Sequence, residues 1–309
     1  MKSKDTVAAV HARVPPIKHW SHSSLMAFLR NPLAWYKRYV EEIYDTPRTP
    51  ASIIGSAGHV ALENFYRQVS ESQMSVPHSF DRTNAGGKPS KKAYSDVQKE
   101  IAVQMGLEYM RSVSDSDIDF GRAKTRKAKR EKRAEMEKEY LQAISFYLEK
   151  PPKHAVLGVE VKGVVSVPGL ALPLKAVSDL VVASKIEKGA VDIVDHKFVA
   201  SFSKGGAQKP IFAIQAIFNY YTVSALFNKP VRRFIVYECK KSKNADGSKQ
   251  LRRYVIDFRD CQEEFAVFHR LINDATTEIS RQRLYLPNPS DMFEGDNSFD
   301  IYRLGLVDG

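Results

Sequence analysis

Residues 174–199 read LKAVSDLVVASKIEKGAVDIVDHKFV, and their pattern decides the fold. Leu174–Ser184 and Val191–Val199 alternate β-branched with small or polar residues, separated by a turn around Glu187. Val156–Val167 precedes them across a turn at Pro168-Gly169, so three strands form an antiparallel meander. In an antiparallel hairpin, opposed positions have numbers with a constant sum. A turn centred on Glu187 sets Asp179 opposite Asp195, and a turn centred between Gly169 and Leu170 sets Glu160 opposite Asp179. Lys197 shares the face of Asp195 because strand side chains alternate.

Three carboxylates opposed across neighbouring strands repel one another. A divalent cation removes that cost, and hard oxygen ligands suit Mg²⁺ or Mn²⁺. A slip of one residue would send the acids to opposite faces. An acid-x-Lys tripeptide alone carries little information, since any one of them can be a solvated strand face with an incidental ion pair. The chain has three on expected strands: Glu160-Val161-Lys162, Asp195-His196-Lys197 and Glu238-Cys239-Lys240. Only the second has an acid facing it from the preceding strand.

Downstream of the meander, Pro210–Leu226 reads as an amphipathic helix, Arg232–Cys239 and Leu251–Phe258 as two further strands, and Cys261–Tyr285 as a final helix. Upstream, a helix starts at Ser21 with Leu25, Phe28 and Leu29 on one face. It is interrupted at Asn31-Pro32 and resumes over Leu33–Ile43 with Trp35, Tyr36 and Tyr39, which read as core. Gly55–Val69 is strongly periodic through Leu62, Phe65, Tyr66 and Val69. Ser70–Ser95 reads as a loop, and Asp96–Val113 and Ala134–Leu148 as helices. The expected organisation is a flexible tail over 1–20 and one domain over 21–309, with a helical, basic insertion at about 70–150. Helices followed by strands, a helix, two strands and a helix make the fold class mixed α/β.

Charge points to a polyanion. The chain of 309 residues has 47 Lys and Arg against 36 Asp and Glu, a net +11. Arg122–Arg133 holds eight Lys/Arg and one acid, and Lys240–Arg253 holds six and one, so two patches carry the whole excess. Arg122, Lys124, Arg126, Lys127, Lys129 and Arg130 in the first, and Lys240, Lys241, Arg252 and Arg253 in the second, are candidate phosphate contacts. Because the first run places its cations all round a helix, the competing reading is a solvated arm. Tyr254 would add base stacking. Apart from charge, no apolar run suggests a membrane span, Met1–Lys18 lacks a signal-peptide core, and two cysteines without a CxxC exclude a disulfide scaffold. A cytoplasmic protein without a membrane partner is expected.

Taken together, these residues resemble the PD-(D/E)XK nuclease superfamily, and its RecB-like exonuclease branch in particular. Asp179 with Ile193-Val194-Asp195-His196-Lys197 is similar to the family's paired metal acids and catalytic lysine. Ser23-Ser24-Leu25 with Asn31-Pro32 and Tyr36 resembles the branch's N-terminal signature, and Gly55-Ser56-Ala57-Gly58-His59 its Gly-x-x-x-His helix. Gln215 matches the glutamine of the helix after the lysine strand. The tyrosine usually found four residues later is Asn219 here, with Tyr220 and Tyr221 just beyond.

The resemblance implies a restriction-endonuclease-like mixed sheet flanked by helices. It implies His59, Asp179, Asp195 and the His196 backbone carbonyl as metal ligands, with Glu160 as a further ligand or a water-mediated group. Lys197 and Gln215 act beside them on water and phosphate, and Ser24 and Tyr220 fall among the DNA contacts. The metal would acidify a water and polarise the phosphate. Since Asn31 replaces the first cysteine of the branch's iron–sulfur staple and no others follow, no cluster is expected. The expected function is an Mg²⁺- or Mn²⁺-dependent DNA exonuclease acting on ends or single strands in repair, recombination or phage DNA processing, with a helicase or recombination protein as a possible partner. The alternatives are a structure-specific endonuclease and a catalytically silent binding scaffold.

Overall fold

Short helix-capping motifs set where the chain turns into its first elements. In the computed structural model, which describes residues 14–43, 48–74, 95–204, 208–245, 247, 250–281 and 284–286, strand β1 is Trp20–Ser21. Ser21 then caps helix α1 (His22–Arg30) in a reciprocal box with Ser24. Asn31 caps α2 (Pro32–Tyr39), its side-chain oxygen accepting from the Ala34 N–H at 3.1 Å, and Pro32 occupies the first helical position where its missing N–H costs nothing.

Helices α3 (Pro50–Met74), α4 (Asp96–Ser112) and α5 (Arg126–Glu149) follow. Then come strands β2 (Val156–Val165), β3 (Leu174–Ala183) and β4 (Val191–Val199), helix α6 (Gln208–Phe227), β5 (Val231–Lys240), β6 (Leu251–Asp257) and α7 (Gln262–Ile279). The sheet is mixed, in the order β1-β3-β4-β5-β6 with β2 also paired to β3. β3 and β4 are antiparallel, β4 and β5 parallel through the α6 crossover, and β5 and β6 antiparallel. This is the mixed α/β architecture, a mixed sheet with helices, expected from the sequence.

The chain divides into two compact units. The smaller comprises residues 1–46, 164–175 and 263–309. In it β1 pairs parallel with Leu174 and Lys175, and Trp20 stacks on Trp35 at 5.9 Å while donating its indole N–H to Thr276. Tyr285 packs against Trp35 and Tyr36, so these aromatics form a core.

The larger unit, 47–163 with 176–262, holds the residues expected to do chemistry. Its core is built from α3, α4 and α5 against β3, β4 and β5, through Phe65, Tyr66, Tyr140, Tyr147, Leu180, Val194 and Ile235. Gly106 permits close helix contact, since a Cβ there would lie 2.6 Å from the Ala57 carbonyl and collide with the Tyr140 hydroxyl. Gly58 does the same for α3 on β4, since a Cβ would collide with the Phe198 ring.

Several boundaries differ from the sequence reading. α3 runs five residues past Val69, through a stretch in which Glu71, Gln73 and Met74 are good helix formers. The basic run is itself helical from Arg126, capped by Thr125, rather than preceding the helix. α7 stops at Ile279 instead of Tyr285. α6 qualifies the expectation about apolar runs: Lys209–Phe227 is long and apolar enough to cross a membrane. Its Ala216, Ile217, Phe218 and Val223 are buried and its Gln215 and Asn219 bond to strand side chains, the pattern of a helix inside a protein core. Residues 1–13 of the expected tail, most of the Ser70–Ser95 segment and the chain after Leu286 lie outside the described residues.

Candidate metal centre and active site

The antiparallel register of β3 and β4 is the one the sequence predicts. Leu180 opposes Val194, and Val181 opposes Ile193. One step further along, the regular ladder gives way to a side chain: Asp179 Oδ2 accepts the backbone N–H of His196 at 2.7 Å. The aspartate is therefore anchored to the strand that carries Asp195.

Glu160 arrives differently. The Ala183 N–H donates to the Ala155 carbonyl at 2.9 Å, one residue out of step with the alignment that opposes Glu160 to Asp179. Glu160 itself has φ 49°, a left-handed backbone of the kind that accompanies bulges and re-aims a side chain. With that adjustment His59, Glu160 and Asp179 each present a ligand atom within 4.8 Å of the others.

His59 comes from α3. Its Nδ1 is 3.3 Å from Asp179 Oδ2, and its ring packs edge-on to Phe198, which also fills the notch over Gly58. Asp195 is not part of that 4.8 Å group and has partners of its own. Lys197 Nζ lies 3.1 Å from Oδ1 and 2.9 Å from Oδ2, and Gln215 Nε2 donates to Oδ1 at 2.7 Å. Gln215 is held in turn by α6: Asn219, one turn on, donates to the Gln215 carbonyl and accepts from Ser178 Oγ at 2.6 Å, next to Asp179.

The electrostatics are those of a site crowded with like charges. Burial opposes ionisation of Asp179, yet the His59 charge and the hydrogen bonds from His196 and His59 hold it well below the usual carboxylate range. Burial raises Asp195, with Asp179 adding to the effect and Lys197 opposing it. Burial, Asp179 and Glu63 likewise raise Glu160. Burial pushes His59 down, but the Asp179 and Asp195 charges prevail and lift it to about 9.

The donor set fits a divalent cation. It offers carboxylate oxygens and one imidazole, the set expected for a hard or borderline ion. Asp195 Oδ2 is buried and ion-pairs with Lys197 Nζ at 2.9 Å, with no hydrogen-bond donor to it among the described residues.

The remaining candidates divide. Arg122, Lys124, Arg126, Lys127 and Arg130 are exposed at the start of α5 and just before it. Lys129 instead lies over the Phe120 ring at 5.5 Å. Arg133 caps the end of α4 through the Met110 and Val113 carbonyls and pairs with Asp115. Two of the expected nucleic-acid contacts are buried in the structure. Lys241 is 5% exposed, its charge disfavoured by burial, and it does not present an ammonium at the surface. Ser24 is 4% exposed, its hydroxyl committed to the Ser21 cap.

Lys240 bonds the Asn244 side chain, Arg252 lies over Phe202 while donating to the Ser203 carbonyl, and Arg253 is exposed. Tyr220 packs on Phe258 at 4.9 Å, and Tyr254 is near Phe212. Glu238, of the third acid-x-Lys tripeptide, is buried and accepts from Ser203, which gives it a loop-anchoring role.

The sequence reading assigned only the backbone of His196 and passed over its ring. The ring is buried between Tyr66 and Tyr237, and its Nε2 bonds the Tyr147 hydroxyl at 2.8 Å. Tyr147 lies 49 residues upstream on another element, so no local spacing announces the contact.

Comparison with known proteins identifies the family. A family model described as the PD-(D/E)XK nuclease superfamily matches residues 19–291. A crystal structure from Eubacterium rectale, described as a presumed exonuclease, is similar at 11% identity and a TM-score of 0.46, with 89% of this chain and 92% of that one covered. A crystal structure of SSO0001 aligns at 13% identity and a TM-score of 0.27, covering 85% and 84% of the two chains. No curated protein matches the sequence.

Proposed function

Because the chain belongs to the PD-(D/E)XK nuclease superfamily, we propose that it is a DNA exonuclease of the RecB-like branch, dependent on Mg²⁺ or Mn²⁺ and acting at DNA ends. Family membership by itself makes it a nuclease, with nucleic acid as substrate and divalent metal as cofactor. The observation that carries the finer reading is the approach of His59, from α3, to Asp179 and Glu160. A helix-borne histidine added to the strand acids is the feature by which the sequence resembles the exonuclease branch.

Asp179, Asp195, His59 and the His196 carbonyl would hold the metal, with Glu160 as ligand or through water. When bound, the cation supplies polarisation of the scissile phosphate and acidification of a water. Lys197, paired to Asp195, is placed to orient the attacking water or to stabilise charge on the phosphate. Gln215 fixes the Asp195 carboxylate through Oδ1, while Oδ2 faces the Lys197 ammonium at 2.9 Å. The cations at the start of α5 would hold the phosphodiester backbone without reading sequence. Such an activity suits repair, recombination or phage DNA processing in the cytoplasm, alongside a helicase or recombination protein.

The test is nucleotide release with Mg²⁺ or Mn²⁺ from a linear duplex, a linear single strand and covalently closed circles of the same sequence. Release from linear substrates with closed circles intact supports the reading. Efficient cutting of the circles would make the enzyme an endonuclease instead.

A further inference from the structure

Asp179 Oδ2 is surrounded by nitrogen from one residue twice over. The backbone N–H of His196 donates to it at 2.7 Å, and the ring Nδ1 of the same residue lies 3.3 Å away. That Nδ1 is buried and makes no hydrogen bond with the described residues, so the carboxylate is its near polar neighbour. At the other side of the ring, Nε2 is 2.8 Å from the Tyr147 hydroxyl, which is 2.6 Å from the Tyr66 hydroxyl. Tyr66 also reaches the Pro152 carbonyl at 3.3 Å. His196, Tyr147 and Tyr66 are at most 1% exposed.

The placement of hydrogens along this line follows from the chemistry of its ends. An ionised carboxylate only accepts, so the ring nitrogen beside it carries the hydrogen. In a neutral imidazole Nε2 then accepts, which requires the Tyr147 hydroxyl to donate. The Tyr147 oxygen is left to accept from Tyr66, whose single hydroxyl hydrogen is shared with the more distant Pro152 carbonyl. Stacking of the imidazole between Tyr66 and Tyr237, at interplanar angles of 25° and 18°, restricts its rotation.

We propose that Tyr66, Tyr147 and His196 form a buried positioning relay that sets the orientation of the Asp179 carboxylate, and thereby the affinity of the metal centre. The inference rests on the metal-centre reading above. None of the three side chains is catalytic. Outer partners that orient a metal ligand are commonly worth 10- to 100-fold in affinity, and α5 is thereby coupled to the site from a distance in sequence.

The experiment measures Mn²⁺ binding to the folded protein, without DNA, by electron paramagnetic resonance of free Mn²⁺. Wild type is compared with Tyr147→Phe, His196→Leu and His196→Asn, and each is checked for native melting behaviour. Tyr147→Phe removes one hydroxyl and leaves Tyr66 its Pro152 carbonyl, so the fold is retained. The relay predicts that Tyr147→Phe and His196→Leu weaken Mn²⁺ binding about tenfold or more. It also predicts that His196→Asn, whose amide can replace the Nδ1–H, recovers much of the loss.

Wild-type affinity in both Tyr147→Phe and His196→Leu would overturn the relay while leaving the metal centre intact. Equal weakening by His196→Asn and His196→Leu would reduce the role to packing and overturn it as well. Failure of the wild type to bind Mn²⁺ would instead overturn the metal-centre reading, and the relay with it.

Discussion

The Gln215 amide donates to Asp195 Oδ1 at 2.7 Å, so the crossover helix reaches back to the strand it left twenty residues earlier. That single bond connects the two halves of the proposed chemistry, because Asp195 also holds Lys197. Replacing Gln215 by Ala is expected to lower turnover about 10- to 100-fold with little change in DNA affinity. Asn219→Leu, which loses both the Ser178 bond and the tie to the Gln215 carbonyl, should produce a smaller loss in the same direction. Steady-state kinetics on a linear substrate separate the two effects.

Gly58 governs how closely α3 lies on β4. A methyl group there would collide with the Phe198 ring, which also borders His59. Gly58→Ala should cost about 1–3 kcal/mol by overpacking, a fall of several degrees in melting temperature, together with reduced activity. Gly58→Ala combined with Phe198→Leu, which makes room, should recover part of the stability.

The basic segment contains two kinds of cation. Neutralising Arg126, Lys127 and Arg130 together should weaken DNA binding and leave the melting temperature unchanged. The plot of log affinity against log salt should flatten by roughly 0.7–0.9 for each phosphate no longer neutralised. Arg133→Ala should do the reverse: its carbonyl caps and its pair with Asp115 hold the α4–α5 connection, so stability falls by about 1–3 kcal/mol. Salt titrations and thermal melts on the two variants check the division.

His154 is buried among Tyr66 and Tyr237, and burial, with Lys185, His196 and Arg253 nearby, lowers it to about 4. Its folded value is below its unfolded value near 6.5, so between those limits the unfolded chain binds the extra proton. Stability attributable to this residue is present above about pH 6.5 and is lost progressively towards pH 4, by about 3 kcal/mol at most. Urea midpoints at pH 7.5 and 5 should differ less for His154→Phe than for wild type.

How much of this was legible in the sequence depends on the distance a signal must travel. The pairing of β3 with β4 follows from alternation and one turn, and Asp179 and Asp195 were placed from those alone. Glu160 was assigned to the right neighbourhood by a flat register, but it gets there through a left-handed backbone that no pattern encodes. His59 and Gln215 were visible only through resemblance to a family, since each sits on a helix whose docking decides its use. The ring of His196 and its partner Tyr147 were invisible, because their contact depends on how α5 packs over the sheet. The basic run showed its charge but not its division of labour, which is set by Phe120 and Asp115 lying across a turn. The burial of Ser24 and Lys241 was hidden for the same reason: a polar side chain in sequence gives no sign of being buried.

The account stands on the site being a metal-dependent phosphodiesterase centre, and one measurement tests that most directly. Acid-soluble nucleotide released from linear DNA should require Mg²⁺ or Mn²⁺, and Lys197→Ala and Asp195→Ala should each reduce it about 100-fold or more while leaving DNA binding intact. Undiminished release in both variants, or release unaffected by chelation of the metal, would contradict it.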